Sequence, residues 1–317
     1  MTCTSPIRGW KKLEGGGMTT SLNKGYADQP MTVPCGQCIT CRLERTRTWA
    51  IRCMHEAALH EQNIFTTITY DEEHLPYGET LVRSDLQKFI KRLRKKVPNL
   101  RIFYCGEYGD TTDRPHYHAL LFNYRPNDAE KMAERNGKDI FRSDKLDKTW
   151  GMGHINFGNV EFQSAAYVAG YVTKKITGPD QEEHYQWIDD ATGQIIDRTP
   201  PFQGSSKNPA IGHDWLVRWM EDVYSKDQII IEGKAMRPPR YYDKMCEKYR
   251  PDLWRQVKIK RRQDDPNKFI IAEKEISEKI RKVIQKKGDP NAYKGSDRHL
   301  IVKNKIAVSR QLLRNEQ

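Results

Sequence analysis

Two histidines one residue apart, His116 and His118, stand in the apolar run Arg114-Pro-His-Tyr-His-Ala-Leu-Leu-Phe-Asn123. In a strand, residues two apart project from one face, so both imidazoles can close on a single metal ion while Tyr117 points away. Further along, Tyr167-Val-Ala-Gly-Tyr171-Val-Thr-Lys174-Lys175 has the spacing of a helix that carries nucleophiles. At about 100° per residue, Tyr171 lies about 40° from Tyr167, Lys174 about 20° to the other side and Lys175 about 80° away. Both phenols and one ammonium then share a face. Lys174 is the better placed to stabilise a phenolate or neutralise a phosphate, and Lys175 can reach by its flexible stem.

These groups suit phosphodiester chemistry. A divalent cation on two imidazoles and a carboxylate can polarise a phosphodiester oxygen and orient the phosphorus for in-line attack. A tyrosine, with a reference pKa near 10, becomes a good nucleophile when a nearby cation favours the phenolate. The phosphotyrosine ester keeps the reactivity of the broken bond, so a free 3′-hydroxyl can reverse the reaction and rejoin ends without ATP. Two nucleophiles on one face can alternate, one holding a DNA end while the other attacks the next junction. The plainer alternatives are a pair of structural histidines and an amphipathic helix with two core tyrosines.

The elements that must position these residues can be read from pattern. Arg42 to His60 lacks proline and glycine and repeats Leu43, Thr46, Trp49, Ala50, Cys53 and Ala57 at helical spacing, with Arg42, Arg45, Arg47 and Arg52 as a basic surface. Ile64 to Tyr70 is rich in β-branched and aromatic residues and predicts a strand. Ser84 is expected to cap a helix with Leu86, Phe89, Ile90, Leu93 and Val97 on one face and Lys88, Lys91, Arg92, Lys95 and Lys96 on the other. Arg101 to Tyr108 predicts a second strand, and the short turn from Gly109 to Pro115 makes it antiparallel to the histidine strand. That pairing can bring Glu107 near His116 and His118. A helical insertion is expected from about Asn127 to Trp150, a strand from Gly153 to Val160 and the tyrosine helix from Gln163 to Ile176. Residues 181–215, with Pro200-Pro201, Gly204-Ser-Ser and Pro209-Ala-Ile-Gly212, predict a loop-dominated connection. Phe269 to Val283 has helical spacing again.

The chain has 317 residues and a formal net charge of +12, which favours an anionic partner, most simply nucleic acid. From Lys234 to Lys287 there are 18 Lys/Arg against 8 Asp/Glu, so most of this charge falls in the C-terminal region. No run approaches the ~18 apolar residues of a membrane span, and the N-terminus lacks a signal-peptide core, so a soluble, intracellular protein is expected. Seven cysteines argue against a secreted disulfide framework. Three of them form Cys35-Gly-Gln-Cys38-Ile-Thr-Cys41, whose tandem C-x-x-C turns suit tetrahedral zinc. Cys3 is the best fourth ligand, while Cys53 reads as core.

Arg114-Pro-His116-Tyr-His118, with Gly106-Glu107-Tyr-Gly before it and Tyr-x-x-x-Tyr-x-x-Lys after it, resembles the HUH endonucleases. Within them it is similar to the replication initiators of small single-stranded DNA phages, the microvirus type and its gokushovirus branch. Ile68-Thr-Tyr70 resembles the superfamily's structural first motif, and the motif match spans about residues 64 to 176. The resemblance implies a nick at the phage origin that leaves a 5′-phosphotyrosine and a 3′-hydroxyl primer for rolling-circle synthesis, followed by circularisation, in the cytoplasm of the bacterial host. It implies Mg²⁺ or Mn²⁺ on His116 and His118 with an acidic third ligand, assigned to Glu107, with Asp110, Asp113 and Glu161 as alternatives. A lysine follows Tyr171 by three residues where Gly170 follows Tyr167, which favours Tyr171 as the first nucleophile.

The expected fold is α+β: an HUH endonuclease core with a central antiparallel sheet, helices over one sheet face, an N-terminal zinc-binding module and a basic helical C-terminal region. The expected domains are residues 1–60 for the cysteine cluster and basic helix, 61–180 for the endonuclease core and 181–317 for the loop-rich connection and basic region. Single-stranded DNA and the origin are the expected partners, with host helicase and polymerase as further candidates and no membrane. Two rival functions explain less: a non-catalytic zinc-containing nucleic-acid-binding protein, and a metal nuclease that uses water.

Overall fold

The computed structural model describes residues 3–15, 17–109, 111–174, 181–189 and 192–263. The described chain forms two compact units, one of residues up to Arg45 together with those from Arg250 on, the other Thr46–Tyr249. The first carries a small antiparallel sheet of β1 (Ile7–Lys12), β2 (Met18–Thr19) and β3 (Gly25–Val33) in the order β2-β1-β3. Its cysteine-bearing turn leads into α1 (Ile39–Ala57).

The second unit is built on a seven-stranded antiparallel sheet. In chain order it contains β4 (Asn63–Tyr70), α2 (Arg83–Lys96), β5 (Arg101–Tyr108), β6 (Pro115–Phe122), β7 (Glu130–Arg135), β8 (Lys138–Arg142), α3 (Asp144–Trp150), β9 (Gly153–Asn159) and α4 (Phe162–Lys174). After α5 (Gln181–His184) come the hairpin β10 (Gln186–Ile188) and β11 (Ile195–Asp197), then β12 (Phe202–Ser205), α6 (His213–Lys226), the hairpin β13 (Ile229–Ile231) and β14 (Lys234–Met236), and α7 (Arg240–Tyr249). A last helix, α8 (Pro251–Gln263), belongs to the first unit. The strand order is β12-β5-β6-β4-β9-β8-β7, which puts the histidine strand β6 between β5 and β4.

Alternation along the central strands divides two cores. Ile64, Ile68, Ile102, Tyr117, Leu121 and Ile155 face Leu86, Phe89 and Leu93 of α2 and Leu146 and Trp150 of α3. On the other face Phe103, Cys105, Leu120 and Phe122 meet Ala50 and Cys53 of α1 and Ala165, Val168 and Ala169 of α4. Helices thus cover both sheet faces, not one, because successive residues of β5 and β6 are apolar on both sides and each apolar face must be buried.

Other sequence expectations change with register and packing. Residues 127–150 hold a charged hairpin, β7–β8, and the short helix α3 in place of a helical insertion. Asn136 and Gly137 both adopt positive φ, which gives the tight turn that joins twisted antiparallel strands. Within 181–215, β12 is a true edge strand of the sheet, paired with β5. Its Gly204 lies against Tyr104, where a Cβ would sit 2.3 Å from the ring and its hydroxyl. Ser84 does not cap α2; the N-cap is Val82, without a side-chain cap bond. Arg52 is not a surface cation. It is buried with its guanidinium 4.1 Å from both the Trp49 and Tyr241 ring centroids, and its Nε donates to the Ile211 carbonyl. The span Phe269–Val283 lies outside the described residues. Among the described residues no helix is long and apolar enough to cross a membrane.

One buried ion pair ties the second unit together. Glu56 is 2% exposed and accepts from Arg101 Nε at 2.5 Å and from the Gly212 N–H at 2.6 Å. Glu56→Ala strands a mostly buried guanidinium and an unpaired N–H, and is expected to lower unfolding stability by about 3 kcal/mol, read by urea titration. A loss under about 0.5 kcal/mol would show that water replaces the carboxylate at this point.

Candidate functional site

β5 and β6 pair so that Glu107 stands opposite His116 and Cys105 opposite His118, while Thr69 and Thr67 of β4 flank the two histidines on the other side. Directly opposed residues share a face, so Glu107, His116 and His118 converge. His116 Nε2 and His118 Nε2 each lie 2.9 Å from the same oxygen, Oε1 of Glu107. The ligand atoms of the three residues all lie within 4.8 Å of one another.

The outer ring nitrogens orient these groups. His116 Nδ1–H donates to the Arg114 carbonyl at 3.1 Å, and His118 Nδ1 pairs with the Thr67 hydroxyl at 3.1 Å. Both Nε2 lone pairs are thereby aimed at a carboxylate oxygen, an arrangement of three acceptors that is stable only with a cation or proton between them. Burial pushes the His118 imidazole below its ordinary pKa even though Glu107 pulls it up, which keeps the ring in the neutral, metal-binding form. The donor set of two imidazoles and one carboxylate fits a divalent ion with open positions for substrate.

The tyrosine helix packs over this group. The Tyr171 ring stacks on His118 with centroids 5.2 Å apart and planes 6° from parallel. The Tyr167 ring meets His118 edge-on at 5.2 Å and Tyr171 at 4.5 Å. Phe65 of β4 lies parallel to His118 at 5.6 Å. The two phenols differ in access: Tyr171 is 4% exposed and Tyr167 50%. Lys174 closes α4, its side chain beyond what the structure describes, and Lys175 lies outside the described residues, as does Asp110. Of the alternative acids, Glu161 is bound to Lys138 at 2.6 Å and Asp113 is paired with Arg198. Neither belongs to the Glu107 group.

The cysteine cluster forms a second donor set in the first unit. Cys3 Sγ lies 3.6 Å from Cys35 Sγ and 3.7 Å from Cys38 Sγ, and the four sulfurs, with Cys41, lie within 4.8 Å of one another. Four thiolates at about 2.3 Å from a tetrahedral ion are about 3.8 Å apart, so the cluster is the size of a metal site. The Cys35 and Cys38 N–H groups donate to Cys3 and Cys35 sulfurs at 3.3 Å each. Burial pushes the Cys38 thiol up, but hydrogen bonds from Thr4 and Thr40 outweigh it and bring it down to about 5; burial pushes Cys41 up to about 12.

Sequence reasoning missed Thr67, Phe65 and Arg198. Arg198 is buried on the Tyr108 ring and donates to Asp113 and to the Glu79 carbonyl, so it pins the turn that leads into His116. Only the cross-strand register reveals Thr67 and Phe65, and Arg198 has no local signal.

Residues 63–176 match a family model that describes the phage replication-associated protein ORF2. The replication-associated protein VP4 of Bdellovibrio phage phiMH2K is 35% identical over 272 residues, covering 82% of this chain and 82% of that protein. The replication-associated protein ORF2 of Spiroplasma virus 4 is 28% identical over 270 residues, 80% of each chain. The replication-associated protein ORF4 of Chlamydia phage 1 is 28% identical over 228 residues, 68% of this chain and 54% of that one. No solved structure gives a significant match. The matched segment holds the histidine strand and the tyrosine helix, and the similarity to VP4 runs through most of both chains: this chain belongs to the replication-associated proteins of small single-stranded DNA phages, gokushovirus type.

Proposed function

We propose that this protein is a rolling-circle replication initiator that nicks and rejoins single-stranded DNA at the phage origin through a 5′-phosphotyrosine. The observation that carries the reading is that both tyrosine rings lie against His118, whose Nε2 converges with that of His116 on Glu107. Nucleophile and metal ligands therefore share one site. When bound by His116, His118 and Glu107, Mg²⁺ or Mn²⁺ supplies charge neutralisation at the scissile phosphate.

The chain's own residues supply the rest. Tyr167, the exposed phenol, makes the first attack: its oxygen bonds to phosphorus, the 3′-oxygen departs, and the downstream 5′-phosphate stays on the protein. Tyr171, held against His118, is the second nucleophile and takes over at the next junction. Lys174, or Lys175 by its longer reach, offsets charge at the phenolate and phosphate. Energy of the broken bond is kept in the ester, so the 3′-hydroxyl of a completed round closes the circle. Single-stranded DNA incubated with the protein and Mn²⁺ should give a covalent adduct on a denaturing gel that carries the downstream fragment and is absent with EDTA. Cleavage without adduct would point to water as nucleophile, and binding without cleavage to a non-catalytic DNA-binding protein.

Cys3, Cys35, Cys38 and Cys41 bind a structural zinc ion in this reading. Elemental analysis of the purified protein should find about one zinc per chain, and a strong chelator should lower the melting temperature. Metal-free protein that melts unchanged would leave the cluster as reduced thiols.

A further inference from the structure

We propose that His154 is the general acid that protonates the departing 3′-oxygen, and the general base that takes the proton back when ends are rejoined; this rests on the transesterification reading above. The chemistry demands such a group. A phenol has a pKa near 10, whereas the sugar alkoxide it displaces is a far stronger base, so the barrier falls mainly on the leaving group. His116 and His118 have both ring nitrogens engaged, at Glu107 and at the Arg114 carbonyl or Thr67.

The register places a third histidine on the same face. Thr69 pairs with His116 on one side and with His154 on the other, so His154 lies two strands from His116, about 10 Å between backbones. This part of the face is open. Of the residues that β4 and β9 add there beside the metal ligands, Thr67, Thr69, Asn156 and His154, only His154 titrates near neutral pH. Its imidazole is 75% exposed, and Nδ1 stands 3.5 Å from Asp147 Oδ2. Asp147 is itself fixed, since its Oδ1 accepts the Ile155 N–H at 2.7 Å. A held carboxylate beside Nδ1 supports the imidazolium and leaves Nε2–H for the substrate, the division of labour of a histidine acid–base pair. The remaining charged pair that faces it is Asp71 with His74, 2.8 Å apart.

The step balances. The Tyr167 oxygen bonds to phosphorus and its phenolic proton passes to solvent; the bond from phosphorus to the 3′-oxygen breaks, and that oxygen takes the proton from His154 Nε2. His154 is reprotonated from solvent. In rejoining, His154 removes the proton from the attacking 3′-hydroxyl and the tyrosine leaves.

The test compares the full-length protein and His154→Gln on two oligonucleotides that span the mapped nick site, one with the ordinary 3′-oxygen and one with sulfur at that bridging position. A thiolate leaves without a proton. His154→Gln should form adduct about 10²-fold more slowly on the oxygen substrate and at nearly the wild-type rate on the sulfur one. Equal rates for variant and wild type on oxygen overturn the proposal. A variant equally slow on both also overturns it, and assigns His154 to DNA binding; His154→Asn, with the melting temperature of each variant, guards against a folding defect. Wild-type protein that forms no adduct with either substrate would sink the transesterification reading instead.

Discussion

Protein in which Tyr167 and Tyr171 are both phenylalanine is expected to form no covalent adduct with single-stranded DNA, a loss of at least about 10⁴-fold in cleavage. Phenylalanine keeps the ring contacts with His118 and removes only the hydroxyl, so the loss would report the nucleophile and not the packing. The single variants should separate the roles. Tyr167→Phe should suppress the first adduct, because the remaining phenol is 4% exposed against 50% for the one removed. Tyr171→Phe should leave the first adduct intact and block transfer to a second junction. The lysine spacing after Tyr171 favours the opposite order, and an adduct that survives in Tyr167→Phe at the wild-type rate would restore it. Cleavage by the double variant at the wild-type rate would mean that water attacks.

His118→Ala should weaken Mn²⁺ binding by more than about 100-fold and remove metal-dependent cleavage. The imidazole is a ligand and also the surface on which Tyr171 and Phe65 stack, so its loss opens a hole under both. Calorimetric titration with Mn²⁺ isolates the first effect. Unchanged affinity would mean that Glu107 and His116 hold the ion with some other partner. Burial already keeps His118 neutral below its ordinary range, so wild-type metal binding should persist into mildly acidic solution before protons displace the ion.

Much of the candidate site is legible in the sequence because its logic is local. The two-residue period sets His116 and His118 on one face, and the short turn at 109–114 forces Glu107 opposite them. The four-residue spacing of the tyrosines likewise places both against His118. The rest depends on contacts distant in sequence. β7 is charged and exposed along its whole length, so it has no alternating apolar pattern, and only its turn at Asn136-Gly137 marks the hairpin. β12 lies among prolines and glycines and becomes a strand because Phe202 and Gly204 pack on β5 and its neighbours. Arg52 looks like one more surface arginine until Tyr241 closes over it. Which phenol is covered, and that His154 shares the face of the metal ligands, follow from the packing of α4 and the pairing of β9, neither of which a single segment encodes.

The most direct test of the tyrosine ester is to isolate the adduct formed with Mn²⁺, digest the protein and DNA, and locate the nucleotide-bearing peptide by mass spectrometry. The account predicts a peptide from α4 with a 5′-linked nucleotide on Tyr167 after a single turnover, and on Tyr171 as well once transfer is allowed. A nucleotide attached anywhere outside residues 162–174, or DNA cut with no peptide attached, would contradict it.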